Sequence, residues 1–125
     1  MNILVIDDEE LICWSLKRSI EKHAGHYVSC VYNGNDALEK INKDQYDVII
    51  TDLRLPDING ADLVRKIKEL NIDTPVIVVS AYFSQNTVND ITSQGVFRCI
   101  NKPFQIEDVL SGVREAVEGS FPSAV

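Results

Sequence analysis

Long hydrophobic runs are missing from this chain. No apolar stretch exceeds about five residues, against the ~20 that a membrane-spanning helix needs. The start also lacks a basic segment: Met1-Asn2-Ile3-Leu4-Val5 runs straight into a strand-like pattern, and no signal peptide is expected. Cysteine is sparse, with three residues at 13, 30 and 99, odd in number and without metal-ligand spacing. That excludes a disulfide framework and reads as reduced thiols in a cytoplasmic protein. Positive charge is scarce too, 12 basic residues against 19 acidic ones leaving a formal charge of −7. With no basic stripe to neutralise phosphates, neither direct nucleic-acid binding by this domain nor a membrane contact is expected. Internal repeats and low-complexity segments are absent.

What is present suits one compact domain. The 125 residues, 45% hydrophobic and 25% charged, are enough for a real core. Short apolar runs at 3–6, 26–31, 48–51, 76–79 and 96–100 alternate with longer amphipathic stretches. The clearest helical spacing is the last, with Ile106, Val109, Leu110, Val113 and Val117 at three- and four-residue intervals. Gly25, Gly95 and Gly119 stand where helices should end, and Asn33, Asn59 and Ser84 where they should begin. Strict βα alternation predicts an α/β fold, a (βα)5 doubly wound parallel sheet with helices on both faces.

Runs one, three and four are apolar throughout, as in strands buried on both faces, whereas runs two and five mix in polar residues as edges do. Right-handed crossovers then suit the flavodoxin-like strand order 2-1-3-4-5. Its single reversal lies between strands 1 and 3, so ligands should bind just after Ile6 and Thr51. The stretch 84–95, rich in Asn, Thr and Ser, should be the least stable helix. The domain is expected over 1–118, with 119–125 a tail or the start of a linker.

At the expected crevice stand Asp7 and Asp8 after strand 1 and Asp52 after strand 3. Asp7-Asp8-Glu9-Glu10 alone reads equally as a solvated acidic first turn of a helix. With Asp52 across the same switch point, the carboxylates repel, at roughly 4 kcal/mol for a pair about 4 Å apart. A bound cation or a raised pKa relieves this, and hard oxygen donors at an open site suit Mg²⁺, with Mn²⁺ as an alternative. Ser80 and Lys102 end strands 4 and 5 and point toward the same crevice. A hydroxyl and an ammonium near three carboxylates make a site for a tetrahedral dianion built on one of them.

At these residues the chain resembles the receiver domain of bacterial two-component response regulators. The matching pieces are Ile6-Asp7-Asp8-Glu9, Thr51-Asp52-Leu53-Arg54-Leu55-Pro56-Asp57-Ile58-Asn59-Gly60, Val79-Ser80-Ala81 and Asn101-Lys102-Pro103-Phe104. The wording is most similar to the nitrogen-regulatory, enhancer-binding class. The resemblance implies a phosphoacceptor at Asp52, and Mg²⁺ held by Asp8, Asp7, Asp52 and the backbone carbonyl of Arg54. It further implies that Ser80 and Lys102 contact the phosphoryl oxygens and that the Lys102-Pro103 bond is cis. The implied partners are a sensor histidine kinase or phosphotransfer protein. An effector domain, a partner protein or a second copy would sit on the face formed by the fourth helix, fifth strand and fifth helix. The implied role is that of a signalling switch rather than an enzyme.

One position departs from the family. Three residues before Lys102, where the family usually has Tyr or Phe as a rotameric switch, stands Cys99. Phosphorylation chemistry should survive this, since Cys99 is not a site ligand, but coupling to the output surface is affected. Tyr82 is expected as a loop side chain near the site mouth. A haloacid-dehalogenase-like phosphatase would want Asp-x-Asp followed by Thr or Val, and a flavin module a Gly- and hydroxyl-rich first loop. This chain has neither. A receiver-like scaffold that binds partners without phosphorylation is the remaining alternative.

Overall fold

The structure is a computed structural model that describes residues 1–23, 25–70 and 73–118. Strands and helices alternate: β1 (Asn2–Ile6), α1 (Glu10–Glu21), β2 (Tyr27–Val31), α2 (Gly34–Lys43), β3 (Val48–Thr51), α3 (Gly60–Leu70), β4 (Val76–Ser80), α4 (Gln85–Ser93), β5 (Arg98–Asn101) and α5 (Ile106–Val117). The strands pair in parallel in the order β2-β1-β3-β4-β5, the flavodoxin-like arrangement expected from the alternation. Parallel neighbours cannot be joined by tight turns, and the helices are the crossovers that join them.

The period of two along each strand divides the core in two. Leu4, Ile6, Ile49, Val76 and Val78 meet Ala37, Leu63, Val64, Ile67 and Ile91 from α2, α3 and α4. Ile3, Val5, Val48, Ile50, Ile77 and Val79 meet Cys13, Leu16 and Ile20 of α1 and Val109 and Val113 of α5. Each aliphatic side chain so buried contributes about 1.5–3 kcal/mol before entropy is counted. β3 and β4 are buried along their whole length and β1 beyond Asn2, whereas β2 and β5 are partly exposed edges. On the β2 side, Val28 donates its N–H to Glu21 at 2.8 Å and accepts from Lys17 Nζ at 2.8 Å. Two side chains of α1 thus occupy backbone groups that a foreign strand would seek.

The helix ends follow the sequence signals. Asn33 accepts from the Asp36 N–H, Ser84 from that of Thr87 and Asn59 from that of Ala61. Beyond Ser93, Gly95 adopts φ +87, its N–H bonds the Thr92 carbonyl, and the Val96 N–H bonds that of Ile91. This is a Schellman ending, which needs a left-handed residue. It also explains why the last strand begins at Arg98 and not at the apolar Val96. α4 buries only Ile91 among its residues. Gly119 and the tail 119–125, expected as a helix end and a linker, lie outside the described residues.

Gly60 has a spatial reason. A Cβ there would lie 2.3 Å from the Leu53 Cα, and its φ is not positive. The start of α3 is therefore pressed onto the loop that follows β3, with the Gly60 N–H on the Leu53 carbonyl at 2.9 Å.

Candidate functional site

The reversal of strand order opens a crevice where the chains leaving β1 and β3 diverge. Asp7 follows β1, Asp52 follows β3 and Lys102 follows β5. The two aspartates are 3% and 6% exposed, and the Lys102 ammonium joins them, 2.8 Å from Asp7 Oδ2 and 2.8 Å from Asp52 Oδ2. Glu9 stands 3.6 Å from the same nitrogen. The other carboxylate oxygens are held by the backbone: Asp7 Oδ1 accepts from the Glu9 N–H at 3.0 Å, and Asp52 Oδ1 from Leu53 at 2.6 Å and Arg54 at 3.2 Å.

Burial pushes the Asp7 carboxyl above its ordinary value, because the desolvation cost outweighs the Lys102 hydrogen bond that favours the charged form. Burial alone would lower the Lys102 ammonium, but hydrogen bonds to Asp52 and Asp7 outweigh it and hold the group above the usual lysine range. Lys102 is therefore a fixed cation at neutral pH. It is outnumbered, since carboxylate oxygens of Asp7, Asp8, Glu9 and Asp52 all lie within 4.8 Å of one another. Four hard oxygen donors with a deficit of positive charge fit a divalent cation of the Mg²⁺, Mn²⁺ or Ca²⁺ type, and no thiol or imidazole belongs to the cluster.

A cavity of about 220 Å³ opens beside Asp52, lined also by Asp8, Glu9, Arg54, Ala81, Tyr82 and Lys102. At its mouth the Arg54 guanidinium stacks on the Tyr82 ring at 3.5 Å. The Arg54 backbone turns inward, its N–H on Asp52 and the residue bridged to Asn59. The Lys102-Pro103 peptide is cis. Ser80 is placed differently from the others. It is fully buried at the end of β4, its Oγ accepts from the Tyr82 N–H at 3.1 Å, and its carbonyl accepts from the Lys102 N–H. In this arrangement its hydroxyl braces the turn that carries Tyr82 and is not among the residues lining the cavity.

Cys99 is exposed on β5, in register with Val78, so it shares the sheet face of α4. Phe97 packs instead with the α1–α5 core and does not stand in for an aromatic at 99. Two residues escaped the sequence reading. Glu9 joins the acidic cluster because it starts α1 with its side chain free of any capping bond, and the acid run was the signal for it. Asp57 accepts from the Gly34 and Asn35 N–H groups at 2.8 and 2.9 Å. It thereby caps α2 from the loop after β3, across 23 residues of sequence, and no local pattern marks such a contact.

The same arrangement recurs among known proteins. The model of the response regulator receiver domain matches residues 3–114, and the chain belongs to that family. It is 34% identical over 116 residues to the DNA-binding transcriptional regulator NtrC of Proteus hauseri, covering 93% of this chain and 24% of that protein. It spans about a quarter to about a half of the length of the curated relatives it matches. Among solved structures, a CheY-like receiver domain from Methanospirillum hungatei superposes with a TM-score of 0.91 at 27% identity, over 94% of each chain. A response regulator from Burkholderia pseudomallei, solved with a phosphorylated aspartic acid, calcium ion and citrate, gives 0.83 at 28% identity, over 94% of this chain and 69% of that one.

Proposed function

We propose that the domain over 1–118 receives a phosphoryl group on Asp52 from a histidine kinase or phosphotransfer protein, as the receiving step of a phosphorelay. The observation that carries this reading is the Asp52 carboxylate, 6% exposed, at a cavity wall with Lys102 at 2.8 Å and further carboxylates beside it. A carboxylate oxygen attacks phosphorus, the P–N bond to the donor imidazole breaks, and an acyl phosphate forms on Asp52. Mg²⁺ held by Asp7, Asp8, Asp52 and the Arg54 carbonyl would supply charge neutralisation for the transferring group. Lys102 balances charge on the phosphoryl oxygens, and the Ser80 hydroxyl would leave the Tyr82 N–H to reach one of them. The phosphorylated aspartic acid and calcium ion of the Burkholderia structure support the reading.

The domain then acts as a signalling switch that promotes only its own phosphorylation and dephosphorylation. Its output is a changed α4–β5–α5 surface, offered to an effector domain, a partner protein or a second copy, within the cytoplasm. The new charge biases a helix with one buried anchor, Ile91, and so a low barrier to repacking. With Cys99 in place of an aromatic, this coupling runs through backbone and helix packing. No helix among the described residues is long and apolar enough to cross a membrane.

The test is incubation with acetyl phosphate and Mg²⁺, followed by intact-mass measurement. A gain of one phosphoryl group that disappears in Asp52→Asn is expected. No gain in the unmodified sequence overturns the proposal.

A further inference from the structure

Two of the three cysteines meet behind the acidic crevice. Cys13 lies on α1, fully buried, and Cys30 lies on the edge strand β2, partly open to solvent. The Cys13 thiol donates to the Asp7 backbone carbonyl at 3.3 Å, and the Cys30 thiol approaches the Cys13 carbonyl at 3.5 Å. The Cys30 sulfur thus sits against the backbone of the residue that carries the Cys13 sulfur. Seventeen residues separate them, so only the fold brings them together. In a chain with no other close pair of cysteines, such a pairing of one shielded and one reachable sulfur is the arrangement of an attacking and a resolving thiol.

We propose that Cys30 and Cys13 are an oxidisable dithiol, with Cys30 the thiol that reacts first with a hydroperoxide and Cys13 the one that closes the disulfide. The Cys30 sulfur attacks the terminal peroxide oxygen, the O–O bond breaks, and Cys30 becomes a sulfenic acid while the departing oxygen takes a proton and leaves as water or an alcohol. Cys13 sulfur then attacks Cys30 sulfur, the S–O bond breaks, and the hydroxide leaves as water with the Cys13 proton. Two thiols and one hydroperoxide give one disulfide, one alcohol or water, and one water; two electrons pass from sulfur to oxygen. Reduced low-molecular-weight thiols reverse the step by exchange.

The order of events follows from the surroundings. Cys30 is the more accessible partner, the one a hydroperoxide reaches first. Cys13 is sealed in the α1–β2 core. Closure removes the S–H that now bonds the Asp7 carbonyl and ties α1 to β2. The modification therefore acts on the backbone of a residue in the acidic cluster, whatever ligand that cluster holds.

The experiment uses the whole chain carrying Cys99→Ser, which removes the exposed thiol that would join two molecules. One equivalent of hydrogen peroxide should lower the intact mass by two hydrogens, and peptide mapping should find residues 13 and 30 linked. Dithiothreitol should restore the mass. In Cys13→Ser, dimedone should capture a sulfenic acid at Cys30. An unchanged mass, a gain of oxygen without a 13–30 link, or dimedone capture at Cys13 in the Cys30→Ser chain with none at Cys30 overturns the proposal. None of these readouts depends on phosphorylation of Asp52.

Discussion

The Arg54 guanidinium lies 3.5 Å from the centre of the Tyr82 ring, and the two side chains together form the outer wall of the cavity beside Asp52. One comes from the loop after β3 and the other from the turn after β4, so the wall exists only while both loops keep their present positions. Tyr82 is 59% exposed, which makes the contact a solvent-facing cation–π pair.

Such a pair is worth about 0.5–1 kcal/mol at an exposed position. Tyr82→Ala should free the guanidinium and admit water to Asp52. Once phosphorylated, the variant should lose its phosphoryl group about two- to fivefold faster than the unmodified chain, followed by intact mass against time. An unchanged lifetime would mean that the stack does not restrict water.

Asp7 carries a pH signature. Its folded pKa is raised above 3.8, chiefly by burial, so the folded state holds the proton more tightly than the unfolded one. Stability must then fall as pH rises through the folded value, and the ionised group weakens the fold at neutral pH. Without divalent cation, Asp7→Asn should raise the midpoint of thermal unfolding at pH 7 by a few degrees, on the order of 1 kcal/mol for a domain of this size. The gain should shrink as pH falls from 7 toward the unfolded value of 3.8 and the folded Asp7 takes up its proton. Added Mg²⁺ should stabilise the unmodified chain more than the variant. Calorimetry across that pH range, with and without Mg²⁺, checks all three statements.

Asp57 should behave in the opposite sense. Its carboxyl is held below 3.8, first by the hydrogen bond from Gly34 N–H. The stability it adds is therefore present above that unfolded value and is lost as pH falls through the lower folded one. Asp57→Ala should cost about 1 kcal/mol at pH 7, the usual size for loss of a helix N-terminal acceptor. The difference between the two proteins should close in acid. Urea unfolding at pH 7 and at steps descending below pH 3.8 reads it directly, and a difference that stays constant throughout would show that packing of the loop, not the cap, is responsible.

The sheet was legible because its signals are local. Val-Ile-Val-Val and Ile-Leu-Val-Ile must be buried on both faces, and the capping residues Asn33, Asn59 and Ser84 each act within three positions of themselves. The acids at 7, 8 and 52 could be placed together from the strand order alone. What could not be read was contact at a distance with no periodicity behind it. Asp57 reaching α2, Arg54 finding Tyr82, and Cys13 meeting Cys30 depend on how loops and helices settle on the sheet. Ser80 shows the same limit: its position at the top of β4 was readable, but the direction of its hydroxyl is decided by a turn two residues long.

The bond from Lys102 to Asp7 spans 95 residues, and it has a consequence for a chain that is still being made. Until β5 has left the ribosome, Asp7 and Asp52 have no ammonium between them, and their repulsion falls on the ends of β1 and β3. A product that stops short of Lys102 would carry the acidic crevice without the ammonium that joins Asp7 to Asp52. Synthesis of the last strand is thus the event that brings a cation between the two buried carboxylates.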